Sequence, residues 1–95
     1  MDDIKYNHDR PLSSFEEDIK TIESEGFKII AVTQMYFEDT FVFETPEEAN
    51  KAYEMFEKNN PRICAWWYGR NDFIKAVKEY ETESKGYSKV KIYWL

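Results

Sequence analysis

The chain has 95 residues, with 13 Lys/Arg against 19 Asp/Glu and a formal net charge of −6. That length suits one domain, residues 1–95, around one core; seven Phe, seven Tyr and three Trp supply the apolar area so small a core needs. A single cysteine excludes an intramolecular disulfide and a cysteine zinc site, no apolar run reaches the roughly 18 residues of a membrane span, and the acidic surplus disfavours phosphate backbones and anionic membranes.

The acid is unevenly spread: residues 1–60 hold 6 Lys/Arg and 15 Asp/Glu, whereas residues 61–95 hold 7 and 4. The N-terminus, Met1-Asp2-Asp3-Ile4-Lys5-Tyr6, is polar and acidic, unlike a secretory signal, so a cytoplasmic protein is expected. Asp2 to Asn7 reads as a short first strand, and His8 to Pro11 as a loop. Ser13 with Glu16, and Ser14 with Glu17, fit the capping box that opens a helix. Phe15, Ile19 and Ile22 give that helix one apolar stripe, and Gly26 is a natural residue just beyond its end.

Phe27 to Phe37 predicts a long strand, turned at Glu38-Asp39 into a hairpin with Thr40 to Glu44. Thr45 as N-cap, Pro46 at the first position and Glu48 three residues on predict a second helix. Its stripe is Ala49, Ala52, Tyr53 and Phe56, and Asn59-Asn60-Pro61 ends it. Arg62 to Tyr68 is a continuous apolar strand. Gly69 to Asp72 opens a third helix with Phe73, Ala76 or Val77, and Tyr80 inward. After Gly86, Val90 to Leu95 is a last strand with Val90, Ile92 and Trp94 on one face.

The order (β)αββαβαβ predicts an α+β fold. Without its last two elements it matches the ferredoxin-like βαββαβ sandwich, or a related antiparallel sheet with helices on one face. The C-terminal αβ unit then extends it. A last strand added beyond the fourth would carry the third helix to that same face and leave the other face of the sheet open.

Function is carried by two candidate surfaces. Successive strand residues point to opposite faces, so Trp66 and Trp67 cannot both face the helices. Trp66 or Trp67, with Tyr68, Tyr93, Arg62 and Lys91, would form an aromatic, mildly basic platform for a partner or for a second copy in a homodimer. The other surface is acidic: Glu16 and Glu17 on the first helix, Glu47 and Glu54 on the second, complementary to a basic groove on another protein. Helix capping and solvation account for many of these acids by themselves.

The chemistry of catalysis finds little footing. His8 is the sole histidine and sits in a polar loop beside Asp9. Cys64, inside an apolar run, reads as a small buried hydrophobe. Asp2, Asp3 and Asp9 match no defined metal-ligand spacing, so a small metal-dependent nuclease is only an alternative. An aromatic platform on a ferredoxin-like sheet resembles the RNA-recognition motif, whose third strand runs basic–Gly–aromatic–small–aromatic. Glu38-Asp39-Thr40-Phe41-Val42-Phe43-Glu44 is similar to it only at Phe41-Val42, with acids where that family carries a basic residue and Gly. The sequence therefore predicts no catalytic residue, no metal and no cofactor. It predicts a non-enzymatic binder of another macromolecule, an acidic regulator or inhibitor acting by protein–protein contact. In size and charge it is similar to phage accessory proteins that block basic nucleic-acid-binding partners.

Overall fold

A computed structural model describes residues 10–85 and 89–95. The strand expected over residues 2–7, His8, the three N-terminal aspartates and Gly86 lie outside the described residues. A 3-10 turn (Leu12–Phe15) leads into α1 (Glu16–Glu23), followed by β1 (Ala31–Met35) and β2 (Glu38–Phe43). Then come α2 (Pro46–Tyr53), running into a wide π turn (Glu54–Lys58), β3 (Trp66–Gly69), α3 (Arg70–Glu83) and β4 (Tyr93–Trp94).

The four strands form one mixed sheet in the order β3-β2-β1-β4. β1 pairs antiparallel with both β2 and β4, while β2 and β3 are parallel, with Phe41 opposite Trp67 and Phe43 opposite Gly69. The result is an α+β domain, but two features of the expected arrangement are not present. The sheet is mixed rather than antiparallel, and the helices do not share one face.

Connection handedness explains the second difference. β2, β3 and β4 all run in one direction, so α2 and α3 are both crossovers between parallel strands. From β2 the chain steps outward to β3; from β3 it steps back across the whole sheet to β4. A right-handed crossover that reverses its direction of travel must use the opposite face. The last strand adds at β1, not beyond β3, and α3 therefore covers the face that was expected to lie open.

Two core layers follow. On the α1/α2 side, Phe15, Ile22, Val32, Phe41, Phe43, Ala52 and Phe56 are buried together. On the α3 side, Ala31, Met35, Val42, Phe73 and Tyr80 are buried, with Tyr68, Val77 and Ile92 packed against them. The stripes predicted for the three helices point inward except at Tyr53, which is 37% exposed. Thr45 caps α2 as expected, accepting from Glu48 N at 3.2 Å. The Glu48 carboxylate does not close the capping box. It accepts from Lys28 N at 3.0 Å, tying α2 to the segment entering β1.

The box expected at Ser13/Ser14 is absent too, because the chain enters α1 through the 3-10 turn and the N-cap position falls on Phe15. Ser14 Oγ instead donates to Pro11 O at 2.7 Å and accepts from Arg10 Nε at 3.0 Å. The Arg10 guanidinium lies 4.3 Å over the Phe15 ring and pairs with Asp39. Burial holds the Asp39 carboxyl above its ordinary range, outweighing the Arg10 charge.

The hairpin turn also falls elsewhere than predicted. Met35 pairs with Glu38, so the two-residue loop is Tyr36-Phe37, with φ of 51° and 66°. Such a turn ordinarily carries Asn-Gly, and bulky residues at positive φ are strained. Tyr36 is held there by tertiary contacts: its ring meets Tyr80 edge-on at 4.6 Å and Trp66 at 6.0 Å, and its hydroxyl donates to Glu83 at 2.6 Å.

Candidate functional site

β3 is the sheet's outer strand on the α2 side, and the two tryptophans that open it go to opposite faces. Trp67 enters the α1/α2 core. It stacks on Phe56 at 6.1 Å and on Phe43 at 6.3 Å, and its Nε1 donates to the Glu57 carboxylate at 2.5 Å. Trp66 stays 39% exposed on the other face, stacked on Tyr68 at 6.2 Å. Trp66 and not Trp67 is thus the tryptophan of this strand that offers a ring face to solvent.

The aromatic platform does not assemble as expected. Tyr68 packs against the α3-side core, where burial raises its hydroxyl above the usual range. Tyr93 lies on β4 at the far edge of the sheet, against Phe15 at 6.3 Å, and donates to Arg10 O at 2.6 Å. Lys91 goes with it, its ammonium 5.4 Å from the Tyr93 ring. Two strands separate Trp66 and Tyr68 from Lys91 and Tyr93.

The acidic candidates fare differently. Glu16, Glu17, Glu47 and Glu54 are all exposed, on the two helices that cover the same sheet face. Other acids in these helices are tied into the fold. Glu23 accepts from Ile29 N at 3.2 Å, Glu48 from Lys28 N, and Glu57 from both Ala65 N and Trp67 Nε1. Glu54 makes a loose exposed pair with Lys58 at 3.7 Å, which leaves its charge largely available.

A groove of about 330 Å³ runs beside β3, walled by Pro46, Ala49, Asn50 and Tyr53 of α2. Glu57, Ala65, Trp66, Trp67, Gly69 and Asp72 complete its lining. Sequence reasoning found the two tryptophans but not this wall. Asn50 and Glu57 look like ordinary solvated helix residues, and only the parallel placement of β3 beside α2 brings them to the groove.

Parallel sheets commonly bind ligands where neighbouring crossovers leave for opposite faces, at the carboxyl ends of the strands. Here that point lies between the ends of β2 and β3, and it is filled. A Cβ on Gly69 would stand 2.5 Å from Pro46 N and 2.8 Å from the Thr45 carbonyl carbon, so backbone meets backbone. Above it the Arg70 guanidinium grips both oxygens of Glu44, at 2.9 and 3.1 Å. That hydrogen-bonded pairing lowers the Glu44 carboxyl below its ordinary range.

Cys64 is exposed rather than buried, because β3 begins two residues later and the preceding chain lies outside the sheet. The Glu57 charge, followed by burial and the Glu38 charge, raises the Cys64 thiol, so it stays protonated and is a poor nucleophile. Among the described residues, no group of three or more His, Cys, Asp or Glu is placed to hold a metal ion. Nor, among them, is any helix long and apolar enough to cross a membrane. Comparison with protein-family models, curated proteins and solved structures gave no match, which leaves this geometry as the ground for a functional reading.

Proposed function

We propose that this protein is a non-enzymatic binding domain, an acidic regulator or inhibitor that acts by contact with a basic surface of another protein. One observation carries the reading: Glu16, Glu17, Glu47 and Glu54 project to solvent from two helices on one sheet face, while Glu23, Glu48 and Glu57 are spent on backbone and indole N–H groups. Solvent-exposed carboxylates in one layer, tied at most by the loose Glu54–Lys58 pair, steer a positively charged partner and set its orientation. An RNA-recognition-like platform has less support, since it needs an open sheet face and α3 occupies the one that α1 and α2 leave.

The test is retention of host proteins on the immobilised protein at about 50 and 300 mM salt, beside an E16K/E17K/E47K/E54K variant. A basic partner should be held at low salt, released at high salt, and lost by the variant, because a charge-steered complex weakens steeply with ionic strength. Retention indifferent to both salt and charge reversal would overturn the proposal.

A further inference from the structure

Trp66 and Trp67 point to opposite faces of the sheet, yet both line the groove beside α2. A hollow that touches both lies along the edge of the strand, not on either face. The Ala65 N–H is taken by the Glu57 carboxylate at 3.2 Å rather than by β2. In an extended chain alternate N–H groups turn the same way, so the next one aimed along this edge belongs to Trp67. Opposite stands the α2 wall, small at Ala49, with Asn50 and Tyr53 exposed.

An edge strand running beside a helix is the geometry that accepts an extended peptide as an added strand. The backbone ladder then gives affinity, and alternate side chains give selectivity. Edge strands that avoid such pairing typically carry lysine, proline or a bulge. β3 reads Trp66-Trp67-Tyr68-Gly69 and has none of these.

We propose that this groove takes an extended segment of the partner protein as a further strand on β3, and that the segment carries lysine or arginine toward Asp72 and the exposed Glu47 and Glu54. The charge argument selects this occupant. Among the described residues, the groove lining includes two carboxylates and no lysine or arginine. Glu47 and Glu54 stand on either side of Asn50 on the outer shoulder of α2, so the surroundings add to that sign. Four residues of β3 span about 13 Å, enough to register a segment of four to six residues. The inference rests on the proposed acidic-binder reading and adds to it the site and form of contact.

The probe is an acetylated, fluorescein-labelled octapeptide of alternating lysine and valine, titrated by anisotropy to 1 mM at 50 mM salt. Amide chemical shifts map where it sits. Saturable binding is expected, with the largest shifts at Ala65, Trp67 and Asn50. Binding should weaken at least tenfold when alternate peptide nitrogens are methylated, when valine alternates with glutamate instead, and in Asn50→Trp, which fills the groove from its exposed wall. Glu25→Lys, at an exposed carboxylate just past the end of α1 and outside the groove, should bind the peptide nearly as well as the native protein, which sets a general loss of negative charge apart from this site.

No saturation by 1 mM overturns the proposal, as does equal binding of the methylated peptide. Shifts confined to α1 overturn the groove while leaving the acidic-surface reading standing. Concentration-dependent shifts at Trp67 without peptide, with a dimer by light scattering, would assign the edge to a second copy of this chain and overturn it too.

Discussion

Gly69→Ala is the sharpest test of how β3 is seated. Gly69 has φ −79°, a value any residue can adopt, so the backbone itself does not require glycine. The requirement is steric. An added Cβ meets Pro46 N at 2.5 Å, the Thr45 carbonyl carbon at 2.8 Å and Pro46 Cα at 2.9 Å. All three are main-chain atoms at the capped start of α2, where no side chain can swing aside. Relief needs β3 and α2 to part by roughly 1 Å, which loosens the stacking of Trp67 on Phe43 and Phe56. Overpacking typically costs 1–3 kcal/mol, and a backbone-on-backbone clash belongs at the upper end, about 3 kcal/mol. In urea, with a slope of about 1–1.5 kcal/mol per molar, the midpoint should fall by roughly 2–3 M. In a thermal scan the loss should be about 12–24 °C. Gly26→Ala is the matched control: it has φ 98° with nothing within 4 Å of the added Cβ. It should cost only about 1 kcal/mol, and the smaller left-handed penalty of asparagine should make Gly26→Asn milder still. A Gly69→Ala protein within 1 kcal/mol of the native one would refute the close approach, and with it the filled crevice between the ends of β2 and β3.

Two further outcomes follow from the same geometry. Trp67→Ala should destabilise by about 3–5 kcal/mol in denaturant melts, whereas Trp66→Ala should stay within about 1 kcal/mol, because only the first empties core volume; equal costs would contradict the assigned faces. The Tyr36 hydroxyl, bonded to Glu83, is raised to about 12. Raised above its unfolded value of about 10, it contributes stability that is complete below that pH and lost as pH climbs through the folded value. Absorbance titration at alkaline pH should show late tyrosines in the native protein, Tyr36 and Tyr68 among them, with the Tyr36 step shifted earlier in Glu83→Gln, and an unmoved curve would break this assignment.

Much of the fold was legible because local rules agreed. Thr45-Pro46 started α2, Gly26 took its left-handed place after α1, and the stripes Phe15/Ile22 and Phe73/Tyr80 went to the core. Alternation alone required Trp66 and Trp67 to part company. Where the reading missed, a distant partner outbid a local preference. Glu48 left its capping box for the Lys28 amide, and Tyr36-Phe37 took a turn suited to Asn-Gly because Trp66, Tyr80 and Glu83 hold Tyr36 there. The candidate site was half legible: its exposed acids and Trp66 could be named, but the helix wall opposite could not.

What the sequence determined by itself was the order of the described helices and strands, their inward faces and the surplus of acid on the first two helices, because period, caps and charge act over a few residues. Only the tertiary structure decided where the last strand would pair. Nothing local in Tyr93-Trp94 says that β1, rather than β3, is its neighbour. That choice sent α3 to the opposite face through the handedness of its crossover, parted Tyr93 from Trp66, and left the outer edge of β3, among the described residues, without a further strand beside α2.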